Sequence, residues 1–259
     1  MSDDALIQQA IDSAHTRGQP PRESVVIFGA SFNPVTQGHL GLIRTLLADP
    51  ILNDQPIYLI PARQSPLKSP ETYASATDRL NMLTLALDQH FEGADRARLS
   101  IQTLEIDRPA PSRMTVTLAL LTIQHQAHQR YTLVCGYDHW ACFNQWYQWK
   151  AFKDLAALIF YPRKGISVLD SESLANLRQL LEVGIDVTIV CTDKTQVAAG
   201  EAACQQARWI YNNQARITPS CATDIRAYYH RSRGETQVAI PSGITPEVHH
   251  YILHHGCYR

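Results

Sequence analysis

The sequence lacks an apolar run long enough to span a bilayer. Its start, Met-Ser-Asp-Asp-Ala, also lacks the basic and then apolar order of a signal peptide. It has no excess of charge of one sign, because 23 Lys and Arg residues stand against 24 Asp and Glu residues and the formal net charge is −1. These absences predict a cytoplasmic protein that has neither a membrane nor a nucleic acid as a partner.

The cysteines and the clustered histidines give little sign of a metal site. Cysteines lie at positions 135, 142, 191, 204, 221 and 257 and form no C-x-x-C pair, which predicts reduced thiols rather than a disulfide framework or a zinc site. Cys221, at a predicted helix start, is a candidate reactive thiol. His250 and His254 have the spacing of two metal ligands on a helix, but only Glu247 accompanies them as an acidic residue at helical spacing. We therefore expect a solvated helix face there and no metal held by protein ligands.

Short β-like runs alternate with helical stretches along the chain. Apolar and β-branched residues predict strands at 25–28, 57–61, 99–102, 131–135, 157–161 and 187–190. Helices are predicted between most of them, among others at 115–129, 171–181 and 198–211, and one is opened by Ser75 as its N-cap. This alternation predicts an α/β fold built on a doubly wound parallel sheet.

Length and composition allow a large core, since the 259 residues are 45% hydrophobic and 18% charged. The polar leader at residues 1–23 has the segment Gly-Gln-Pro-Pro-Arg (18–22) near its end and is predicted to be a short helix or an arm outside the core. Residues 24–259 are predicted to form a single domain. A last helix is marked by Thr245 as N-cap, Pro246 at the first helical position and Gly256 at the end.

The most informative segment follows the first predicted strand. The strand breaks at Gly29, a turn with an Asn-Pro pair follows, and the motif TQGH (36–39) opens a helix. Unpaired backbone N–H groups and the positive end of the helix dipole converge at such a helix start, which therefore suits phosphate. Thr36 adds a hydroxyl and His39 an imidazole as further donors. The segment has neither the lysine of a Walker loop nor a GxGxxG turn, so neither of those phosphate signatures applies.

These residues resemble the TxGH/HxGH nucleotidyltransferases, and the order of further motifs resembles the nicotinate-nucleotide adenylyltransferase family in particular. In chain order the motifs are GASFNPVTQGHL (29–40), IPARQSPLK (60–68), APSRMTVTL (110–118), CGYDHWACFNQWYQW (135–149), PRKG (162–165), SCATDIR (220–226) and ITPEVHHYILHHGCYR (244–259). The resemblance extends over residues 24–259 and implies a Rossmann-like nucleotidyltransferase fold.

The resemblance also implies roles for individual residues. The implied catalytic residues, which align and neutralise phosphates, are Thr36, His39, Lys68 and Arg226. The implied ATP-binding residues are Gly29, Ala30, Ser31, Phe32, Gly38, Gly136, Asp138, Thr223 and Ile225. The implied mononucleotide-binding residues are Asn33, Arg113, Trp146, Tyr147 and Arg163, with Trp146 stacked on the pyridine ring. Mg²⁺ is implied as a cofactor bound through the ATP phosphates.

Four positions depart from the family pattern. Leu67 replaces a histidine, Arg113 and Met114 replace a Tyr-Thr pair beside the pyridine pocket, and Cys221 replaces a serine that is a better phosphate donor. The phosphate residues therefore match the family better than the residues that would recognise the pyridine ring.

The implied function is transfer of the adenylyl group of ATP to nicotinate mononucleotide, which gives nicotinate adenine dinucleotide and pyrophosphate in NAD biosynthesis. Two alternatives stay open. The acceptor could be nicotinamide mononucleotide or another phosphorylated compound, or the chain could be a nucleotide-binding relative without catalysis. A homo-oligomer is also left open, and the implied partners are ATP and a pyridine mononucleotide.

Overall fold

The computed structural model describes residues 1–16, 23–52, 54–64, 73–109, 111–125, 129–162, 167, 169–213, 215, 221–235 and 237–258. The strands among them are β1 (Glu23–Ala30), β2 (Ile57–Pro61), β3 (Leu99–Ile101), β4 (Gln129–Gly136), β5 (Ala156–Tyr161), β6 (Val187–Cys191) and β7 (Arg208–Tyr211). The α-helices are α1 (Asp3–His15), α2 (Gln37–Ala48), α3 (Ala76–His90), α4 (Gly93–Ala97), α5 (Met114–Gln124), α6 (Phe152–Leu155), α7 (Ser171–Glu182), α8 (Lys194–Ala203), α9 (Ala222–Arg231) and α10 (Pro246–His255). Two 3₁₀ helices, Tyr137–Gln145 and Trp149–Ala151, lie between β4 and α6.

The seven strands form one sheet in the order β3-β2-β1-β4-β5-β6-β7. The pairs β1/β4, β4/β5, β5/β6 and β6/β7 are parallel, with registers such as Val26 opposite Thr132 and Leu133 opposite Leu158. The order reverses beside β1, which is the topology of a doubly wound sheet. The predicted α/β fold is confirmed.

The chain divides into two compact units, each made of several segments. The first unit comprises residues 1–29, 55–58 and 113–216, and the second comprises 30–54, 59–112 and 217–259. In the first unit every residue of β6 is buried, and α1 packs on α5 with Ile7 and Ala10 buried. In the second unit α3 packs against α10, and Leu83 and Leu87 of α3 and Ile252 of α10 are buried. A single domain over residues 24–259 stays a prediction.

The six predicted strands are present, within one or two residues of their predicted ends. The predicted helix at 198–211 is wrong in its second half, because α8 ends at Ala203 and residues 208–211 form β7. Pairing of Trp209 with Ile189 of β6 outweighs the local helical pattern there. The predicted helix at 115–129 also ends early, at Gln124.

The helix caps agree better with prediction than the helix lengths do. The Ser75 side chain accepts a hydrogen bond from the backbone N–H of Asp78, as expected of an N-cap. Helix α10 begins at Pro246 after Thr245 and ends at Gly256, whose φ of 64° is left-handed. None of the helices in the described ranges combines the length and the hydropathy that a membrane span requires.

Gly200 is required where α8 meets β7. A Cβ atom at this position would lie 2.3 Å from two ring atoms of Trp209. The ring is held in place, since its Nε1–H donates to the carbonyl of Cys204 at 3.0 Å. Gly200→Ala is therefore expected to lower the free energy of unfolding. Overpacking costs about 1–3 kcal/mol, and the better helix propensity of alanine offsets about 1 kcal/mol.

Urea denaturation measures this loss of stability. Ala199→Ser, at an exposed site on the same helix, is the control and should change the unfolding free energy by less than about 0.5 kcal/mol. If Gly200→Ala were as stable as the parent, the indole would not be packed on this glycine.

Candidate functional site

In the second unit, the turn that follows β1 is fixed by two distant segments of the chain. Asn33 is 2% exposed, and its peptide bond to Pro34 is cis. Its side-chain Oδ1 accepts hydrogen bonds from the backbone N–H of Ala74 at 3.0 Å and from the hydroxyl of Tyr258 at 2.7 Å. Phe32 beside it is fully buried with a φ of 44°. The turn is thus held in one shape, although this φ is unfavourable for a bulky residue.

Thr36 and His39 close the start of α2 with a reciprocal pair of hydrogen bonds. The Thr36 hydroxyl accepts from the backbone N–H of His39 at 3.3 Å, and the backbone N–H of Thr36 donates to His39 Nδ1 at 3.0 Å. Because Nδ1 is the acceptor, the neutral imidazole carries its proton on Nε2. The centroid of the imidazole ring lies 5.1 Å from the centroid of the Phe32 ring. The cap therefore fixes both the orientation of the ring and the nitrogen that can donate.

Arg226 connects the start of α9 to the turn that follows β1. Its Nη1 donates to the carbonyl oxygen of Asn33 at 2.8 Å, and its Nη2 donates to the hydroxyl of Thr223 at 3.1 Å. These two bonds use two of the five N–H groups of a guanidinium. Hydrogen bonds thus connect three of the predicted site residues: Asn33, in the turn after β1, and Thr223 and Arg226, in α9.

Arg79 was not predicted from the sequence, yet it is the most buried cation of the second unit's described residues at 1% exposure. Its Nη1 donates to the carbonyls of Ser31 at 2.7 Å and Ala62 at 2.6 Å, and its Nη2 to that of Arg63 at 3.2 Å. Burial lowers the pKa of Arg79 from its ordinary value. A signal was present in the sequence, because Arg79 lies four residues before Leu83 on the apolar face of α3.

Tyr258 is a second residue that sequence reasoning missed. It follows Gly256 at the end of α10, has a φ of 65°, and donates to Asn33 as described above. Burial raises the pKa of the Tyr258 phenol, so the hydroxyl stays a donor at neutral pH. Tyr258 lies in the C-terminal motif that resembles the family, but the motif does not indicate which residue it contacts.

In the first unit, β4 ends at Gly136 and the chain turns at once into the 3₁₀ helix that contains Asp138. A Cβ atom on Gly136 would lie 2.4 Å from Oδ1 of Asp138. Glycine therefore allows the carboxylate to fold back over the end of the strand.

Trp146 lies half-buried in an aromatic cluster of the first unit. Its ring stacks on Phe143 with centroids 4.8 Å apart and an interplanar angle of 24°. Phe152 and His139 meet it edge to face at 6.2 Å and 5.5 Å. These contacts fix the orientation of the indole, so it is part of the packing as well as a candidate stacking surface.

Arg113 and Tyr147 contact each other and the N-terminal helix. The Arg113 guanidinium carbon lies 3.9 Å from the centroid of the Tyr147 ring, and its Nη1 pairs with Asp3 Oδ2 at 3.1 Å. The Tyr147 hydroxyl donates to Oδ1 of Asp4. This hydrogen bond lowers the pKa of Asp4 and raises that of Tyr147. Two predicted mononucleotide-binding residues are thus held by carboxylates of α1.

The remaining predicted residues are placed as follows. Lys68, Arg163 and the departure at Leu67 lie outside the described residues. Gly29 and Ala30 end β1, Gly38 is buried in the first turn of α2, and Ile225 is 3% exposed in α9. Met114 begins α5, and Cys221 precedes α9 as an exposed N-cap residue without a side-chain capping bond. His250 and His254 are exposed, as expected of a solvated face.

The donor set of the second unit suits an anion. Thr36, His39, Thr223 and Arg226 offer hydroxyl, imidazole and guanidinium donors. They lie in the first turns of α2 and α9, whose positive dipole ends also favour phosphate. Among the described residues there is no group of three or more His, Cys, Asp or Glu side chains that could hold a metal ion.

Comparison with known proteins identifies similar sequences and folds. A sequence model of the cytidylyltransferase-like family matches residues 27–227. A Legionella pneumophila protein named "Probable nicotinate-nucleotide adenylyltransferase" is 34% identical over 141 residues, which make up 54% of this chain and 62% of that protein. The match thus spans less than two thirds of that relative's length. A protein of the same name from Roseiflexus castenholzii is 34% identical over 155 residues, 60% of this chain and 71% of that protein.

Among solved structures, the Plasmodium falciparum nicotinic acid mononucleotide adenylyltransferase complexed with NaAD has a TM-score of 0.62 to this chain. It is 18% identical, and the match covers 92% of this chain and 98% of the other. At this identity the likeness supports the fold.

Proposed function

Because this chain belongs to the cytidylyltransferase-like family, and within it to the nicotinate-nucleotide adenylyltransferases, we propose that it transfers the adenylyl group of ATP to nicotinate mononucleotide. The products are nicotinate adenine dinucleotide and pyrophosphate, so the reaction belongs to NAD biosynthesis. The family resemblance that the sequence motifs predict is confirmed. We further propose that the enzyme acts in the cytoplasm.

The proposed reaction needs alignment and charge neutralisation more than acid–base chemistry. An ionised phosphate oxygen of the mononucleotide forms a bond to the α-phosphorus of ATP, and the bond from that phosphorus to the bridging oxygen of the β-phosphate breaks. Pyrophosphate leaves with the electron pair. Since the attacking phosphate is already ionised, the protein has to hold both nucleotides in line and stabilise charge on phosphate oxygens.

One observation carries the proposal, namely the hydrogen bond from the backbone of Thr36 to Nδ1 of His39. It assigns the imidazole proton to Nε2 at the start of a helix, so that His39 donates to a phosphate oxygen without itself changing protonation. Arg226 donates hydrogen bonds to Asn33 and Thr223, which hold its guanidinium in place. It supplies a positive charge for the triphosphate of ATP. By resemblance, Lys68 would add a second charge.

The side chains of the candidate site suit a Mg²⁺ ion that is bound by ATP rather than by the protein. Thr36, His39, Thr223 and Arg226 provide no carboxylate, which suits phosphate oxygens better than a divalent cation. Mg²⁺ would therefore be held by the ATP phosphates, where it would supply positive charge to the pyrophosphate group. The residues proposed to hold the mononucleotide are Asn33, Arg113, Trp146, Tyr147 and Arg163.

Pyrophosphate release from ATP tests this proposal. The purified protein is supplied with ATP and Mg²⁺ together with nicotinate mononucleotide, nicotinamide mononucleotide or no acceptor. We expect release that depends on the nicotinate acceptor, with formation of the matching dinucleotide by chromatography. Preference for the amide would replace the proposed acceptor and keep the reaction class. Absence of release with both acceptors, together with ATP binding by calorimetry, would favour a nucleotide-binding protein without catalysis.

A further inference from the structure

The first turn of α1 supplies two carboxylates to one small patch of the first unit. Asp3 pairs with Arg113 at 3.1 Å, and Asp4 accepts hydrogen bonds from the hydroxyl of Tyr147 and, at 3.2 Å, from Nε2 of Gln148. The guanidinium of Arg113 in turn lies on the face of the Tyr147 ring. Every charged or hydroxyl donor named here is thus occupied by a carboxylate of the same chain.

The packing of α1 keeps these carboxylates in place. Ile7 and Ala10 are buried, and α1 packs on α5, the helix that begins directly after Arg113. At the other end of α1, Nε2 of His15 lies 2.8 Å from Oδ1 of Asp154. The helix therefore presents Asp3 and Asp4 to Arg113 and Tyr147 in one orientation.

The interactions are nevertheless of a kind that a ligand can replace. The side chains of Arg113 and Asp3 are 33% and 29% exposed, so water and salt weaken their attraction. Partly exposed ion pairs of this type are weak. The Arg113 guanidinium and the Tyr147 hydroxyl each donate to a carboxylate of α1, and the carboxylate of a bound molecule can take the place of either one.

We propose that Asp3 and Asp4 are specificity-determining residues that compete with the carboxylate of an acidic pyridine mononucleotide for Arg113 and Tyr147. This inference rests on the proposed function, which places both residues at the mononucleotide. A carboxylate acceptor has to displace the two aspartates, whereas a neutral carboxamide gains less from these donors and loses less to the competition. The N-terminal helix thus lowers the preference of the enzyme for the acid over the amide.

The double variant Asp3→Asn/Asp4→Asn tests the competition. Both asparagines keep the size and polarity of the side chain but lack the charge. We expect the KM for nicotinate mononucleotide to fall about three- to five-fold, the range that an exposed ion pair allows. The KM values for nicotinamide mononucleotide and for ATP should stay within about two-fold of the parent. In the background of Arg113→Ala/Tyr147→Phe, which lacks both donors, the same two substitutions should have no effect on any of these constants.

Asp12→Asn is the matched control. Asp12 also lies on α1, but its carboxylate accepts from Gln8 at 2.8 Å and contacts neither Arg113 nor Tyr147. This variant removes a negative charge from the same helix and should leave the KM for both acceptors unchanged. A fall in the KM for the acid in the control as well would assign the effect to net charge and overturn the proposal.

The remaining outcomes separate this inference from the proposed function. An unchanged or raised KM for nicotinate mononucleotide in a variant that still turns over would overturn the competition alone. If the parent protein turns over neither acceptor, the proposed function fails. Calorimetry with nicotinate mononucleotide then decides the inference, since the double variant should still bind it more tightly than the parent. Equal binding in a variant with an unchanged melting temperature would count against it.

Discussion

The variant His39→Ala is expected to lower kcat for adenylyl transfer about 10²–10³-fold, the loss seen when one preorganised donor to a developing oxyanion is removed. The imidazole is positioned for this role by Thr36, whose backbone N–H donates to Nδ1 and so leaves the ring proton on Nε2. Alanine removes both the Nε2–H donor and the Nδ1 acceptor that closes the helix cap. Steady-state kinetics with saturating ATP and nicotinate mononucleotide measure the change.

A second substitution separates loss of the donor from loss of the helix cap. In a capping box, a glutamine at the third helical position accepts from the backbone N–H of the N-cap residue. His39→Gln therefore keeps the cap but not the imidazole, and it should unfold at nearly the temperature of the parent. His39→Ala should be less stable by about 1 kcal/mol. Turnover should be low in both variants, and near-parental turnover in His39→Ala would refute the role of the imidazole.

The variant Arg79→Leu is expected to have the largest effect on stability. Leucine removes the donor of three hydrogen bonds and leaves the carbonyls of Ser31, Ala62 and Arg63 without the partner they have in the structure. Each buried polar group that loses its partner costs about 1–3 kcal/mol. We expect a loss of about 3–5 kcal/mol in the free energy of unfolding, or no accumulation of folded protein. Urea denaturation followed by circular dichroism measures it.

Arg79→Lys is the matched control for charge. Lysine keeps a cation at the position, but a single ammonium on a flexible chain cannot reproduce the planar fork that reaches three carbonyls. Its stability should lie between that of the parent and that of Arg79→Leu. If Arg79→Leu unfolded at the same urea concentration as the parent, the three hydrogen bonds would contribute no net stability.

The sequence predicts the fold where local pattern and tertiary structure agree. Strands β1 and β6 contain runs of buried and mostly apolar residues, as strands of a parallel sheet do, so their positions follow from composition alone. The strand β7 is different, because residues 208–211 carry exposed Arg208 and Tyr211 and owe their extended form to pairing with β6. Such pairing is a non-local interaction that no window of sequence contains.

The candidate site divides in the same way. His39, Thr36 and Arg226 could be predicted as candidates because each lies in a short motif at a helix start, where the chemistry is local. Tyr258 and Arg79 were missed because their partners lie far away in sequence, and a buried arginine on an apolar helix face has no motif. The aspartates of α1 were missed for the same reason, since Asp3 and Arg113 are 110 positions apart in the sequence.

The long sequence separations between Asn33 and its partners also determine when during synthesis their contacts can form. Its carbonyl is bound by a residue 193 positions later, and its side chain by one 225 positions later. The second unit, which contains all three residues, is interrupted by a long segment of the first. During synthesis on the ribosome, the turn after β1 is therefore made early but receives Arg226 and Tyr258 only after almost every other element has been translated. The strands of the sheet are translated before Arg226 and Tyr258, so the contacts that fix this candidate anion site are completed late in synthesis.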